Sequence, residues 1–210
     1  MRPLYKEHDY EVYFNPIIKT FGEVYDCFGS DTEQIINSLQ RKYKASSRLF
    51  EKLTTAAMLK EIFGKETTLS YTPEGRPFLK PGLSISISHS KSHVAILLSK
   101  QPHVGIDIEA ISSRILNLES KIKKACSLPS DYNNINDFQK TDFLTAVWTA
   151  KEAVYKSLRI QTDIRILKDI HITSLDANNL PSTARTTARQ EVIDVICHKH
   201  EGHFCTIVAY

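Results

Sequence analysis

A helix-like run from residue 143 to residue 158 constrains the fold most, because neither Gly nor Pro interrupts it. Apolar residues recur within it at steps of three and four, which predicts a helix that buries one stripe against a core. The members of this stripe are Phe143, Val147, Ala150, Val154 and Leu158. Trp148, Glu152 and Lys156 recur every fourth residue and fall on a different face. The helix therefore presents a carboxylate and an ammonium group away from its buried stripe.

A strand-like segment upstream of this helix, Val104-Gly-Ile-Asp-Ile-Glu109, alternates apolar residues with other types. Successive side chains of a strand point to opposite faces, so Asp107 and Glu109 project from the same face. Carboxylate oxygens suit Mg²⁺, which commonly takes one or two of them and completes its shell with water and phosphate oxygens. The same pair also fits the polar face of an edge strand.

Lys151 and Lys156 flank Glu152 in the helix-like run. A Glu–Lys pair at a spacing of four is often only a surface ion pair, which contributes about 0.2–0.5 kcal/mol. A carboxylate between two lysines can also share a cation while the ammonium groups reach phosphate oxygens. Together with the strand, the helix indicates a site for a divalent cation and a diphosphate.

The two segments resemble the signature motifs of the 4'-phosphopantetheinyl transferase superfamily. The matching residues are Gly105-Ile-Asp-Ile-Glu109 and Trp148-Thr-Ala-Lys-Glu-Ala-Val-Tyr-Lys156. Length and spacing are most similar to the larger, Sfp-type branch. The resemblance implies transfer of the 4'-phosphopantetheine arm of coenzyme A to a serine of an apo acyl or peptidyl carrier protein, with release of adenosine 3',5'-bisphosphate.

The resemblance also implies roles for the motif residues. Asp107, Glu109 and Glu152 would hold Mg²⁺ together with diphosphate oxygens and water. Glu152 could in addition accept the proton of the carrier serine. Lys156 would neutralise charge on the diphosphate as a catalytic and coenzyme-binding residue, and Lys151 would make a supporting phosphate contact. We therefore expect Mg²⁺ as cofactor and coenzyme A as co-substrate.

Weaker features extend the resemblance upstream, over roughly residues 41 to 160. Arg76 lies in a turn rich in Gly and Pro and resembles the family's basic residue near the coenzyme, with Arg in place of Lys. Ser88 and His89 end an alternating strand and resemble the family's Ile-Ser-His-Ser segment, which contacts the coenzyme's phosphate. A histidine at the end of a strand can also be a solvated or hydrogen-bonded bystander.

Arg48 falls in the first turn of a predicted helix that runs roughly from Ser47 to Phe63 and is stopped by Gly64. Ser46 or Ser47 is a plausible N-cap for this helix. Arg48 resembles the family arginine that meets the ribose phosphate of coenzyme A. The basic stretch around it also fits a solvated connection between helices.

A helix followed by a hairpin occurs twice along the chain. The first unit combines the helix near residues 47–63 with strands near 85–89 and 93–97, and the second combines the helix near 143–158 with strands near 192–198 and 203–208. We predict an α+β fold of two similar helix-plus-antiparallel-sheet halves, residues 1–102 and 103–210, related by a pseudo-twofold axis with the active site at their interface. No Pro/Gly/Ser-rich linker separates the halves, so we expect one compact unit.

The 210-residue chain is 41% hydrophobic and 24% charged, as expected for a globular protein with a sizeable core. Its net charge of +3 suits an acidic carrier protein. No arginine-rich tract indicates nucleic-acid binding, the longest aliphatic run is too short to cross a bilayer, and the first residues lack the apolar core of a signal peptide. We therefore expect a soluble cytoplasmic monomer with reduced cysteines and no nucleic-acid or membrane partner.

Two further clusters have competing explanations. A basic group between the motifs, which comprises Arg114, Lys121, Lys123 and Lys124, could steer an acidic carrier helix or simply lie on a surface helix. The histidine-rich segment His198-Lys-His-Glu-Gly-His203 fits a hairpin turn better than a metal site, because Glu-Gly supplies the bend and no structural zinc spacing is present.

Two other functional classes remain open from the sequence. One is a catalytically inactive module that binds coenzyme or carrier, and the other is a magnesium-dependent phosphoesterase or nuclease that uses the same carboxylates. A hydrolase would consume its substrate without a carrier protein, so the need for a carrier separates these classes.

Overall fold

A computed structural model describes residues 1–64, 67, 69–79, 82–128, 132–158, 165–175, 182–188 and 191–210. Its α-helices are α1 (Phe21–Phe28), α2 (Thr32–Lys42), α3 (Ser46–Phe63), α4 (Glu119–Ile122), α5 (Asp137–Ser157) and α6 (Ile166–Asp169). Its strands are β1 (Tyr5–Lys6), β2 (Tyr10–Pro16), β3 (Ser70–Tyr71), β4 (Pro77–Phe78), β5 (Ser84–His89), β6 (His93–Ser99), β7 (Val104–Ala110), β8 (Ile170–Ser174), β9 (Ser182–Ala188), β10 (Glu191–His200) and β11 (His203–Ala209).

The strands form two main sheets, with antiparallel pairing inside each. One sheet has the order β1-β2-β6-β5, the other has the order β7-β11-β10-β9-β8, and β3 pairs with β4 in a small ribbon. This confirms the α+β class with antiparallel sheets. The predicted strands at 85–89, 93–97, 192–198 and 203–208 are all present, whereas β8 and β9 were not predicted.

The two sheets meet edge to edge at β5 and β7. Serine side chains of β5 provide the contacts: the Ser86 Oγ accepts a hydrogen bond from the Ile106 N–H at 3.1 Å, and the Ser88 Oγ accepts one from the Ile108 N–H at 3.2 Å. Both serines are at most 5% exposed. The alternating serines of β5 therefore satisfy backbone donors of β7 at a buried junction between the sheets.

Helix α5 begins at Asp137, earlier than the sequence periodicity predicted. Asn136 and Gln139 form a capping box, in which the Asn136 Oδ1 accepts from the Gln139 N–H at 2.9 Å and the Gln139 Oε1 accepts from the Asn136 N–H at 3.2 Å. The first turn is polar and exposes Phe138, so the apolar period starts only after it. The predicted buried stripe is confirmed, since all five of its members are buried.

Gly105 lets α5 lie directly on β7. A Cβ atom at this position would come within 1.9 Å of the Ala153 carbonyl oxygen, which belongs to the α5 backbone. Only a residue without a side chain fits such a close backbone approach. This contact fixes the distance between the strand that carries Asp107 and the helix that carries Glu152.

Helix α3 ends as predicted, with Gly64 in the left-handed conformation at φ +67°. The predicted serine N-cap is wrong. Ala45 occupies the cap position in an extended conformation without a side-chain hydrogen bond, so Ser46 and Ser47 already lie inside the first turn. Arg48 nevertheless falls in that first turn.

The buried side chains form apolar clusters on both sheets. α5 packs against the five-stranded sheet with residues such as Leu144 and Phe204, and α3 packs against the four-stranded sheet with residues such as Met58 and Ile96. All four cysteines are free thiols, and three of them are buried. Among the described helices, none combines the length and the hydrophobicity required to cross a bilayer.

Candidate active site

The strand motif and the helix motif meet at an ion pair between Asp107 and Lys156. The Lys156 Nζ lies 2.7 Å from the Asp107 Oδ1 and also donates to the Ser88 Oγ at 3.1 Å and to the Ile106 carbonyl at 3.0 Å. The Ser88 hydroxyl donates to the same Asp107 oxygen at 2.8 Å. The Asp107 side chain is only 7% exposed and that of Lys156 is 28% exposed. β5, β7 and α5 each contribute one side chain to this buried cluster.

The second carboxylate oxygen of Asp107 is available for a ligand. The Asp107 Oδ2 is buried and has no hydrogen-bond partner among the described residues. Leaving a buried acceptor unpaired costs about 1–3 kcal/mol, and more when the acceptor is charged. A cation or a donor placed at this oxygen would relieve that cost.

Glu109 and Glu152 lie close enough to Asp107 to interact with it electrostatically. Burial raises the pKa of the Glu109 carboxyl, and the negative charge of Asp107 raises it further, although a hydrogen bond with Trp148 and the charge of Lys156 oppose the rise. Burial and Asp107 likewise raise the pKa of Glu152, with a smaller contribution from Glu109 and an opposing one from Lys156. The three predicted acids therefore share one electrostatic environment in which extra positive charge is favoured.

These residues fit Mg²⁺ by donor chemistry but do not form a finished cage. Within the described part of the chain, no group of three or more His, Cys, Asp or Glu side chains is arranged to hold a metal ion. Mg²⁺ needs only one or two carboxylates when water and phosphate complete its shell. The unpaired oxygen of Asp107 and the raised pKa values of Glu109 and Glu152 are the observations that favour such an ion.

Lys151 does not belong to this cluster, and its environment differs from that of the predicted phosphate contact. Its side chain is completely buried and its ammonium group donates a hydrogen bond to the Ile170 carbonyl of β8. Burial lowers the pKa of Lys151 to about 8, with Cys126 acting in the opposite direction. The side chain is therefore a polar element of the core under α5, directed away from Lys156.

Arg48 and His89 are distant in sequence and meet at the end of β5. The Arg48 Nη1 lies 2.5 Å from the His89 Nε2 and donates to the Glu51 Oε2 at 2.7 Å. Burial lowers the pKa of His89, and the positive charges of Arg48, Lys156 and Lys52 add to this, while Glu51 opposes it. A neutral imidazole is therefore favoured, which can accept the hydrogen bond from Arg48. Glu51 was not predicted, although its position one turn after Arg48 was the available signal.

Arg76 lines a cavity of about 410 Å³ together with Phe78, Ile87, Glu152, Tyr155 and Lys156. The Arg76 Nη2 is buried and has no hydrogen-bond partner among the described residues. Burial lowers the pKa of Arg76, against the influence of Tyr155 and Glu74. The volume lies in the range of ligand sites, and the free guanidinium nitrogen suits a polar or anionic group.

A second cavity, of about 510 Å³, opens beside Glu109. Its lining includes Lys91, Arg114, Ile115, Leu118, Thr145 and Trp148. Arg114 is thus the member of the predicted basic group that lies next to a motif residue. Lys123 instead pairs with Glu119 at 3.5 Å and lies over the Tyr132 ring.

Comparisons with known proteins show which family the chain is similar to. A family model described as the 4'-phosphopantetheinyl transferase superfamily matches residues 103–208, which include β7 and α5. Enterobactin synthase component D of Salmonella typhimurium (strain LT2) is 30% identical over 165 residues, which cover 75% of this chain and 68% of that protein. The 4'-phosphopantetheinyl transferase AcpT of Escherichia coli (strain K12) is 29% identical over 108 residues, which cover 50% of this chain and 55% of AcpT. The chain belongs to the 4'-phosphopantetheinyl transferase superfamily.

Proposed function

We propose that this protein transfers the 4'-phosphopantetheine arm of coenzyme A to a serine of an apo acyl or peptidyl carrier protein and releases adenosine 3',5'-bisphosphate. The observation that carries the proposal is the contact of Asp107 and Lys156 beside a cavity that also contains Glu152 and Arg76. Membership of the superfamily and relatives with transferase names support the same reaction.

The proposed reaction breaks one bond of the coenzyme diphosphate. The carrier serine oxygen attacks the phosphorus that bears the pantetheine arm, the bond from that phosphorus to the bridging oxygen breaks, and adenosine 3',5'-bisphosphate leaves. Phosphoryl-type transfer of this kind needs mainly positioning and neutralisation of charge. A bound Mg²⁺ would supply charge neutralisation on the diphosphate, with Asp107, Glu109 and Glu152 as its proposed ligands.

The side chains of the chain itself divide the remaining work. Lys156 lies at the Asp107 carboxylate, where its positive charge acts on a diphosphate bound in the adjoining cavity. Glu152 accepts the proton of the attacking serine, directly or through water, from its place in the wall of the same cavity. Arg76 binds the nucleotide end from inside the cavity, and Arg48 with His89 binds it from the outer end of β5.

Further features of the protein belong to the same proposal. We infer two pseudo-symmetric halves, residues 1–102 and 103–210, because a long helix packs on an antiparallel sheet in each and the catalytic cluster lies where β5 meets β7. The larger, Sfp-type branch, the cytoplasmic location and the monomeric state stay predictions from the sequence. Enterobactin synthase component D and AcpT are the relatives reported above, and neither name specifies that branch.

The experiment that tests the function is incubation of the protein with coenzyme A, Mg²⁺ and a panel of apo carrier proteins, followed by mass spectrometry of each carrier. We expect one carrier or more to gain the mass of one phosphopantetheine arm on its serine. Coenzyme A should be consumed only when a carrier is present. Consumption without carrier would indicate a phosphoesterase instead, and binding without modification of any carrier would indicate an inactive module.

A further inference from the structure

The Ser88 hydroxyl has no hydrogen-bonding capacity left for a ligand. A serine hydroxyl provides one donor and two acceptor lone pairs. The Ser88 Oγ donates to the Asp107 Oδ1 at 2.8 Å, and it accepts from the Ile108 N–H at 3.2 Å and from the Lys156 Nζ at 3.1 Å. The residue is 4% exposed. It could donate to a phosphate only by releasing Asp107, which conflicts with the phosphate contact that the resemblance implied.

The same three bonds determine how Asp107 is oriented. The Ile108 N–H fixes the hydroxyl on the β7 backbone, and the hydroxyl then joins Lys156 in binding a single oxygen of the carboxylate, the Oδ1. The Oδ2 is consequently left buried and without a hydrogen-bond partner in the described part of the chain. Ser88 thus helps to determine which oxygen neutralises Lys156 and which one stays available.

We propose that Ser88 is a positioning residue that holds Asp107 and Lys156 in their working arrangement and does not itself bind coenzyme A. Ser88 acts through these two side chains, so its loss should impair the transfer step more than the binding of coenzyme. The proposal rests on the proposed function for its kinetic test, and a stability measurement tests the contact separately.

Ser86 provides a matched control for kcat in the same strand; because it also lines the cavity beside Arg76 and Glu152, its KM does not serve as a control. It lies two residues before Ser88, is 5% exposed, and accepts a hydrogen bond from the Ile106 N–H at 3.1 Å. Its described hydrogen bonds include none to a charged side chain. Ser86→Ala and Ser88→Ala therefore remove the same kind of bond between the sheets, but only Ser88→Ala also removes contacts with Asp107 and Lys156.

The kinetic experiment compares kcat and KM for coenzyme A in the wild type, Ser88→Ala and Ser86→Ala, with a carrier that the wild type modifies. We expect both variants to lower the unfolding midpoint, Ser88→Ala by more than Ser86→Ala, because it also removes the contacts with Asp107 and Lys156. Ser88→Ala should lower kcat by roughly tenfold or more while KM changes by less than about threefold, and Ser86→Ala should keep kcat within about threefold. A raised KM with unchanged kcat in Ser88→Ala would mean that the hydroxyl binds coenzyme. Equal losses of kcat in both variants would mean that Ser88 has a purely structural role. Either result would overturn the proposal.

A double-mutant cycle tests the contact without any turnover. The changes in unfolding midpoint caused by Ser88→Ala and by Asp107→Asn should not add up to the change in the double variant. The changes caused by Ser86→Ala and by Asp107→Asn should add up in their own double variant. Additivity in both cycles would overturn the positioning role even if carriers are modified. If Asp107 is coupled to Ser88 but not to Ser86, and the protein modifies no carrier, the contact between Ser88 and Asp107 is supported and the proposed function is refuted. If Ser88→Ala does not fold, Ser88→Cys replaces it in both experiments, because a thiol keeps the size but is a weak donor.

Discussion

The two motif lysines of α5 have opposite environments. Lys156 is partly exposed and pairs with Asp107 at 2.7 Å, whereas Lys151 is completely buried and donates to the Ile170 carbonyl. At 3.6 residues per turn, five positions correspond to a rotation of about 140°, so the two ammonium groups cannot point the same way. Glu152 and Lys156 differ by only about 40° and share a face. One motif therefore contains a side of the helix that faces the proposed active site, the functional side, and a side that packs in the core, the structural side.

The removal of Asp107 should have the largest effect, because this residue anchors the functional side. In Asp107→Asn the Lys156 ammonium loses its charged partner and the proposed ion loses a ligand. We expect transfer to fall by roughly 10³-fold, the size of effect that the loss of a key electrostatic group has in enzymes. Carrier modification measured by mass spectrometry, with circular dichroism to show retained fold, provides the test. Full activity would remove Asp107 from the site.

Substitution of the two lysines tests the comparison directly. Lys156→Met should lower kcat by roughly 10²-fold, because the positive charge beside the diphosphate is lost. Lys151→Met should keep kcat within about threefold and should change mainly the unfolding midpoint, since the side chain lies in the core. Steady-state kinetics and thermal unfolding of both variants provide the measurements. Equal losses of kcat would contradict a division of α5 into two sides.

The distance between α5 and β7 should have the next largest effect, because it sets where Glu152 and Lys156 lie relative to Asp107. Gly105→Ala would place a Cβ within 1.9 Å of the Ala153 carbonyl oxygen, so the helix and the strand must move apart. Overpacking of this kind typically costs about 1–3 kcal/mol. We expect a lower midpoint in chemical denaturation and reduced transfer. Gly22→Ala is the control, since its Cβ would meet only the Thr20 Oγ1 at 3.7 Å, and it should be close to neutral.

The sequence predicted the functional side of α5 better than the structural side. Period and alternation predicted that Glu152 and Lys156 share a face of α5, because such patterns report which residues share a face, and the structure pairs Lys156 with Asp107. The same rotation should have separated Lys151 from Lys156, but the resemblance assigned both to phosphate. What lies beneath Lys151 depends on β8, a strand whose pairing is non-local and was not predicted.

The contacts between the halves also depend on tertiary structure. Alternation predicted β5, yet it could not indicate that Ser86 and Ser88 would satisfy backbone donors of β7. Arg48 and His89 were both predicted as coenzyme-binding residues, but their mutual contact and the role of Glu51 follow only from how α3 packs on the first sheet. Local patterns thus identify chemically useful side chains, and packing determines their partners.

The smallest expected effect on transfer is the pH dependence of stability that Lys151 contributes. Its pKa is lowered from 10.5 to about 8 in the folded protein, so between these values the unfolded chain binds more protons than the folded one. Stability due to this group should therefore rise as the pH increases from about 8 towards 10.5. A lowering of this size corresponds to roughly 3 kcal/mol across the window, so we expect the midpoint of the wild type relative to Lys151→Met to increase by up to about 10 °C. A difference that stays constant with pH would mean that the ammonium group of Lys151 is solvated, and the contrast with Lys156 would then lose its physical basis.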